Sequence, residues 1–134
     1  MAADGRLVAA YIEPMPEGFR DDRWLAARDE LRRLLIGVAK SKSVIAYSEV
    51  VARIGAINFE PNDHRFHRML DALSTAEDEG GHGLMTVLVV HKSGDYRPGP
   101  GFFELASQRG RDVTDIDKTW LAELRSVWAY WLAH

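Results

Sequence analysis

The side chains best suited to do chemistry in this sequence are cationic and aromatic rather than nucleophilic. In His64-Arg65-Phe66-His67-Arg68 the two arginines stand three apart, as do the two histidines, so on a helix each pair shares a face. Lys92 and Arg97 lie on either side of the turn-forming run Ser93-Gly94-Asp95, and Tyr47 and Arg53 mark the two ends of a short apolar-periodic stretch. Guanidinium and ammonium groups suit phosphate oxygens, and a tyrosine hydroxyl can reach one while its ring stays in the core. The expected nucleic-acid contacts are therefore Tyr47, Arg53, His64, Arg65, His67, Arg68, Lys92 and Arg97.

Other chemistries find less to work with. The chain has no cysteine, which removes thiolate nucleophiles, disulfides and cysteine-based metal centres together. His64 and His67 have no carboxylates at a matching spacing, so no metal or other cofactor is expected. A hydrolase using Glu104 with His91 near Gly99 to Gly101 remains as a rival, but no nucleophile, base and orienting group occur at a recognisable spacing, and a non-enzymatic role is expected. The acids of Ser74-Thr75-Ala76-Glu77-Asp78-Glu79 read as a solvated helix end. In Arg97-Pro98-Gly99-Pro100-Gly101-Phe102-Phe103, turn formers precede two aromatics. The run reads as a rigid turn burying both rings, or as backbone amides open to an anion at a helix start.

Net charge is −3 over 134 residues, which argues against indiscriminate coating of a polyanion, but the charge is patterned. Between residues 40 and 68, Lys40, Lys42, Arg53, Arg65 and Arg68 outweigh Glu49, Glu60 and Asp63. Between residues 91 and 111, Lys92, Arg97, Arg109 and Arg111 outweigh Asp95 and Glu104. The stretch between these two carries only acids, and the last stretch is acidic overall.

These side chains need elements to hold them. Residues 1–20, broken by Glu13-Pro14-Met15-Pro16-Glu17-Gly18, read as an N-terminal arm in which Leu7 to Ile12 could form a strand. Residues 21–134 read as one domain, with a core module over 21–101 and a helical extension over 102–134. The stripe Trp24, Leu31, Leu34, Leu35, Val38 predicts a first helix from Asp21 or Asp22 to Lys40. Ser43 to Ala46 predicts a short strand, and Tyr47 to Ile54 a two-turn helix closed by Gly55 as a left-handed residue. Asn62 or Asp63 caps a third helix carrying Phe66, Met69, Leu70, Leu73 and Ala76, which ends at Glu79-Gly80-Gly81.

Leu84 to Val90 is β-branched and apolar. With the turn at Ser93-Gly94-Asp95 and a return through Tyr96 and Arg97, it predicts a β-hairpin. Phe102 to Arg109 predicts a short helix stopped by Gly110. The last helix, opened by a capping box of Thr114 and Asp117, carries Ile116, Trp120, Leu121, Leu124, Val127, Trp128 and Trp131. Its tryptophans either seal the core against the first helix and Trp24 or form a dimer or partner surface. The order of elements is that of an α+β, winged helix-turn-helix-like core with a hairpin wing and added C-terminal helices. No apolar run reaches the length of a membrane span, and the start lacks a secretion signal, so a soluble, cytoplasmic protein is expected.

Two stretches carry a family resemblance. Ile45-Ala46-Tyr47-Ser48-Glu49-Val50-Val51-Ala52-Arg53-Ile54-Gly55 is similar to the Tyr-x-x-Leu-Ala-x-x-x-Gly stretch of the alkylguanine DNA alkyltransferases and the alkyltransferase-like proteins, with the same interval from Tyr to Gly. Thr86-Val87-Leu88-Val89-Val90-His91-Lys92-Ser93-Gly94 resembles their Pro-Cys-His-Arg-Val-Val-x-x-x-Gly segment, with Val89-Val90 and Gly94 in register. The resemblance spans Val44 to Gly101. It implies a winged-helix DNA-binding scaffold, with Tyr47 crowding a phosphate and Arg65 or Arg68 filling the space of an extruded base. The nucleophilic cysteine maps onto Thr86, so alkyl transfer, which needs a thiolate, is not implied. The expectation is duplex DNA binding without catalysis; the alternative is a protein-interaction or dimerisation module.

Overall fold

The computed structural model describes residues 21–92 and 97–134. The arm over 1–20 and the hairpin tip through Tyr96 lie outside the described residues. Five α-helices and a small parallel sheet follow in the order α1 (Asp21–Lys40), β1 (Ile45–Ala46), α2 (Tyr47–Arg53), α3 (His64–Glu79), a 3₁₀ turn (Met85–Leu88), β2 (Val89–Val90), α4 (Pro100–Gln108) and α5 (Ile116–Leu132). The protein is thus mostly helical with a two-stranded sheet, an arrangement compatible with an α+β class. Among the described residues, no helix is long and apolar enough to cross a membrane.

The 3.6-residue stripes bury what they should. Trp24, Ala27, Leu31, Leu35 and Ala39 of α1 meet Phe66, Met69, Leu70 and Leu73 of α3 and Leu124, Val127 and Trp131 of α5 in one apolar cluster. The tryptophans of α5 turn toward the domain: Trp131 is buried, Trp120 Nε1 donates to the Val87 carbonyl at 3.4 Å, and Trp128 Nε1 to the Ser43 carbonyl at 3.1 Å.

The largest departure from expectation is at Leu84 to Val90. The run is not one strand of an antiparallel hairpin. Its first part is a 3₁₀ turn, and Val89 and Val90 pair in parallel with Ile45 and Ala46. Two buried side chains explain the change, because Glu123 Oε2 accepts the Leu84 N–H at 2.8 Å and Ser74 Oγ the Thr86 N–H at 2.8 Å. Amides bonded to side chains leave no ladder to propagate, and a run buried on both sides gives no period to signal it. Past β2, His91 N–H donates to the Arg97 carbonyl at 2.9 Å.

Three helix ends also differ. Ile54, in extended conformation, caps α2, and Gly55 is not left-handed; Glu30 of α1 instead accepts the N–H groups of Gly55 and Ala56 at 3.2 and 2.9 Å. The N-cap of α5 is Asp115, which accepts the Lys118 N–H at 3.1 Å, rather than Thr114. Pro100 stands in the first turn of α4, so this helix starts two residues earlier than predicted. Asp63 caps α3, and Gly81 and Gly110, at φ of 85° and 89°, take the left-handed position after α3 and α4.

Candidate functional site

Tyr47 follows β1 directly, so the parallel pairing with β2 sets where its ring lies. The ring is 8% exposed. Its centroid is 4.9 Å from that of His91 and 5.3 Å from that of His67, and Phe66 meets it edge-on at 6.4 Å. Burial pushes the Tyr47 hydroxyl above its ordinary range; a hydrogen bond from the Gly99 backbone works against this, and the Asp71 charge adds to it. His67 Nε2 lies 3.0 Å from the Pro61 carbonyl. A carbonyl can only accept, so that nitrogen carries the proton and Nδ1 is left for another partner.

Gly99 completes this cluster by having no side chain. A Cβ there would come within 2.8 Å of His91 Nε2 and 3.6 Å of the Tyr47 hydroxyl. The close approach brings the start of α4 onto the rings. Beneath them is a cavity of about 250 Å³ lined by Tyr47, His67, Asp71, Thr86 and His91 and by the turn from Gly99 to Phe102. Thr86 is 2% exposed, and its hydroxyl has no hydrogen-bond partner among the described residues. Buried hydroxyls are normally satisfied, so an unpaired one at a cavity wall marks a place where something else can bond. Beside the cavity, Arg97, Pro98, Phe103 and Ile116 line a more open groove that shares His91, Gly99 and Pro100 with it.

Of the residues singled out for nucleic acid, Tyr47 and His67 meet at the cavity, with His91 supplied by the loop that carries Lys92. Arg97 stands at the neighbouring groove and pairs with Asp117 at 2.7 Å. Arg65 is held by its own helix cap, Nη2 to Asp63 Oδ2 at 2.6 Å and Nε to Oδ1 at 3.0 Å, and this bond holds the Asp63 carboxyl below its usual range. His64 is exposed and Arg68 half-buried on the same helix, and Lys92 is exposed. Arg53 stands apart, because six residues of helix at 1.5 Å each set it about 9 Å along α2 from Tyr47. Glu104, the acid of the hydrolase alternative, is exposed on α4 and is not part of the cavity that His91 lines.

The acids expected at a solvated helix end are instead structural. Glu77 is buried and meets Arg32 Nε and His82 Nδ1, each at 2.7 Å. Asp78 takes two bonds of 2.7 Å from Arg111 and one of 3.0 Å from Arg109, and Arg111 also reaches the buried Glu123 at 3.0 Å. Hydrogen bonding from Arg111 holds the Asp78 carboxyl below its usual range, and Asp78 in turn raises the Arg111 guanidinium. Sequence gave no signal for these pairs, since the partners come from other elements; nor did it mark Asp71 as a wall of the cavity. Thr86 and the Gly99-Pro100-Gly101 turn were visible as unusual positions, without the link between them.

Among the described residues no group of acids and histidines is arranged to hold a metal ion. The geometry defines a small, mostly helical domain in which Tyr47, His67 and His91 line a cavity at the N-terminus of α4. Comparison with protein-family models, with curated proteins and with solved structures finds no match.

Proposed function

We propose that this chain is a non-enzymatic DNA-binding domain of winged-helix type, with α2 and α3 as the helix-turn-helix and the flanking residues Lys92 and Arg97 in the place of the wing. The observation that carries the reading is the packing of the His67 and His91 rings, tilted by 37° and 38°, against one Tyr47 ring. It joins His67 of α3 to His91, the neighbour of Lys92, and so links two separate positive stretches of an acidic chain. The order α1, β1, α2, turn, α3 and the resemblance to the alkyltransferase-like proteins support the same reading. Thr86 in the cysteine's place keeps it free of group transfer.

Binding is electrostatic and of modest strength, because Arg65 and Arg97 must exchange Asp63 and Asp117 for phosphate. The test is fluorescence anisotropy with a mixed-sequence duplex over a salt series. Arg65→Ala with Arg68→Ala, and separately Lys92→Ala, lower affinity at low salt, and each lost phosphate contact reduces the log–log salt slope by about 0.9. Unchanged binding in both variants would remove the assignment.

A second reading, a protein-contact or dimerisation module, is favoured by Leu121 and Leu132, 41% and 53% exposed on α5. A concentration-dependent dimer in sedimentation together with no duplex binding would select it.

A further inference from the structure

The cavity under Tyr47 has three features with no role in contacting a DNA groove. The first is the buried Thr86 hydroxyl, which has no hydrogen-bond partner among the described residues. The second is the start of α4. Its N-cap, Gly99, offers no side-chain hydrogen bond and Pro100 has no N–H, while nothing lies within 4 Å of where a Gly101 side chain would begin. The Phe102 N–H is bonded to the Gly99 carbonyl at 3.1 Å and the Gly99 backbone to the Tyr47 hydroxyl, which leaves the Gly101 N–H, with the dipole of a nine-residue helix behind it, as the amide offered to the cavity. The third is Asp71, an acid that lines the same cavity as these donors. The remaining polar groups at the wall are the Tyr47 hydroxyl and the imidazoles of His67 and His91.

We infer that this cavity binds a protonated oxyanion of the phosphate type, held by the Thr86 hydroxyl and the Gly101 amide at the start of α4 with its P–OH donated to Asp71. Hydroxyl, helix start and imidazoles all suit a compact anion. Asp71 sets which one. A carboxylate repels a bare oxyanion such as sulfate but accepts a hydrogen bond from one that keeps a proton. About 250 Å³ is room for a five-atom oxyanion and several waters at roughly 30 Å³ each. An internal phosphodiester, with a sugar on both sides, does not fit such a recess, whereas a terminal monoester does. The source is either a phosphorylated nucleic-acid end or the free anion. The site stands independently of the duplex-binding reading.

The experiment is a titration of the whole chain at pH 6, where a phosphomonoester with its second pKa near 6 still keeps a proton on about half its molecules. Backbone amide shifts of Gly99, Gly101 and Phe102 are followed by NMR. Inorganic phosphate shifts them saturably, and sulfate binds at least tenfold more weakly. Thr86→Val removes an oxygen that makes no bond while keeping shape and the backbone bond to Ser74, so the melting temperature is kept or raised and phosphate affinity falls at least tenfold. Asp71→Asn narrows the phosphate-to-sulfate ratio. No saturable shift up to 20-fold above ~1 mM phosphate, equal binding of sulfate, or unaltered affinity in a folded Thr86→Val protein each overturns the inference.

A 5′-phosphorylated duplex compared with its 5′-hydroxyl counterpart assigns the source. Tighter binding that free phosphate competes away identifies a nucleic-acid end; equal duplex affinities with the phosphate titration intact identify the free anion. If no duplex binds while the Gly101 amide still shifts with phosphate, the DNA-binding reading falls and this site stands.

Discussion

The Tyr47 ring packs 4.9 Å from the ring of His91, and the space between His91 and α4 exists only because residue 99 is glycine. One aromatic contact thus joins three segments: the start of α2, the loop after β2 and the start of α4. Tyr47 reaches it because β1, immediately before, pairs with β2, immediately before His91. A two-residue sheet is too small to stabilise a domain, but it fixes register between the two segments whose side chains line the cavity.

Gly99→Ala is expected to separate binding from folding. The added methyl would meet His91 Nε2 at 2.8 Å, and that imidazole is the end of an exposed side chain, so His91 swings away at a stability cost of about 1 kcal/mol or less. The Tyr47–His91 ring contact is lost with it. Duplex affinity and the phosphate response of the Gly101 amide both fall, while urea unfolding moves little. A Gly99→Ala protein that binds like the parent would show that the His91 ring is not part of the site.

How far the sequence announces this arrangement varies by element. The stripes of α1, α3 and α5 are legible because each buries one face, and 3.6-residue spacing reports that directly. Asp63 as the cap of α3 is legible for the same local reason. The segment from Leu84 to Val90 is not, because its backbone is bonded by Ser74 and Glu123 from distant helices, and no local pattern encodes a partner. The burial of Glu77 is hidden likewise: a run of acids looks solvated until Arg32 and His82 are brought to it by the packing of α1 and the loop after α3. Within the site, Tyr47 and His67 follow from turn and helix placement. The unsatisfied Thr86 hydroxyl follows only from three-dimensional packing.

Tyr47 also gives the site an alkaline signature. Its folded-state hydroxyl titrates above the ordinary value near 10, chiefly through burial, while in the unfolded chain it titrates at that value. Folding stability from this group is therefore complete below about pH 10 and is lost as pH rises through the folded value. Tyr47→Phe keeps the ring contacts and removes that alkaline loss, whereas Tyr47→Ala opens a core vacancy worth about 3 kcal/mol or more. Unfolding free energy against pH for the two variants and the parent measures both effects.

The Asp78, Arg111 and Glu123 network acts at the opposite end of the pH scale. Asp78 is held below its ordinary range, chiefly by Arg111, so its contribution is present above about pH 4 and disappears as pH falls through the lowered folded value. Arg111→Ala leaves the buried Glu123 with only the Leu84 N–H among the described residues and takes two of the three side-chain bonds described for Asp78. The pairs are partly solvated, so a loss of about 2 kcal/mol is expected rather than the larger figure for a fully buried ion pair. Urea denaturation at pH 7 and pH 3 tests it: the gap between parent and variant narrows at the lower pH.

Gly83 and Gly101 make a matched pair with opposite outcomes. Gly83 is at φ 87°, and a Cβ there would lie 2.8 Å from Val127 Cγ2 and 3.1 Å from Glu123 Oε2. Val127 is a buried, stiff side chain, and Glu123 is tied to Leu84 and Arg111, so neither can give way cheaply. Gly83→Ala combines left-handed strain with a core clash and is expected to cost about 2–3 kcal/mol. Gly101 lies in α4 with negative φ and nothing within 4 Å of its Cβ position, so Gly101→Ala gains about 0.5–1 kcal/mol by restricting the unfolded chain. Thermal melts of the two variants should shift in opposite directions. If Gly83→Ala melted at the parent temperature, the packing of the loop before the 3₁₀ turn against α5 would be wrong, and with it the placement of Thr86 at the cavity wall.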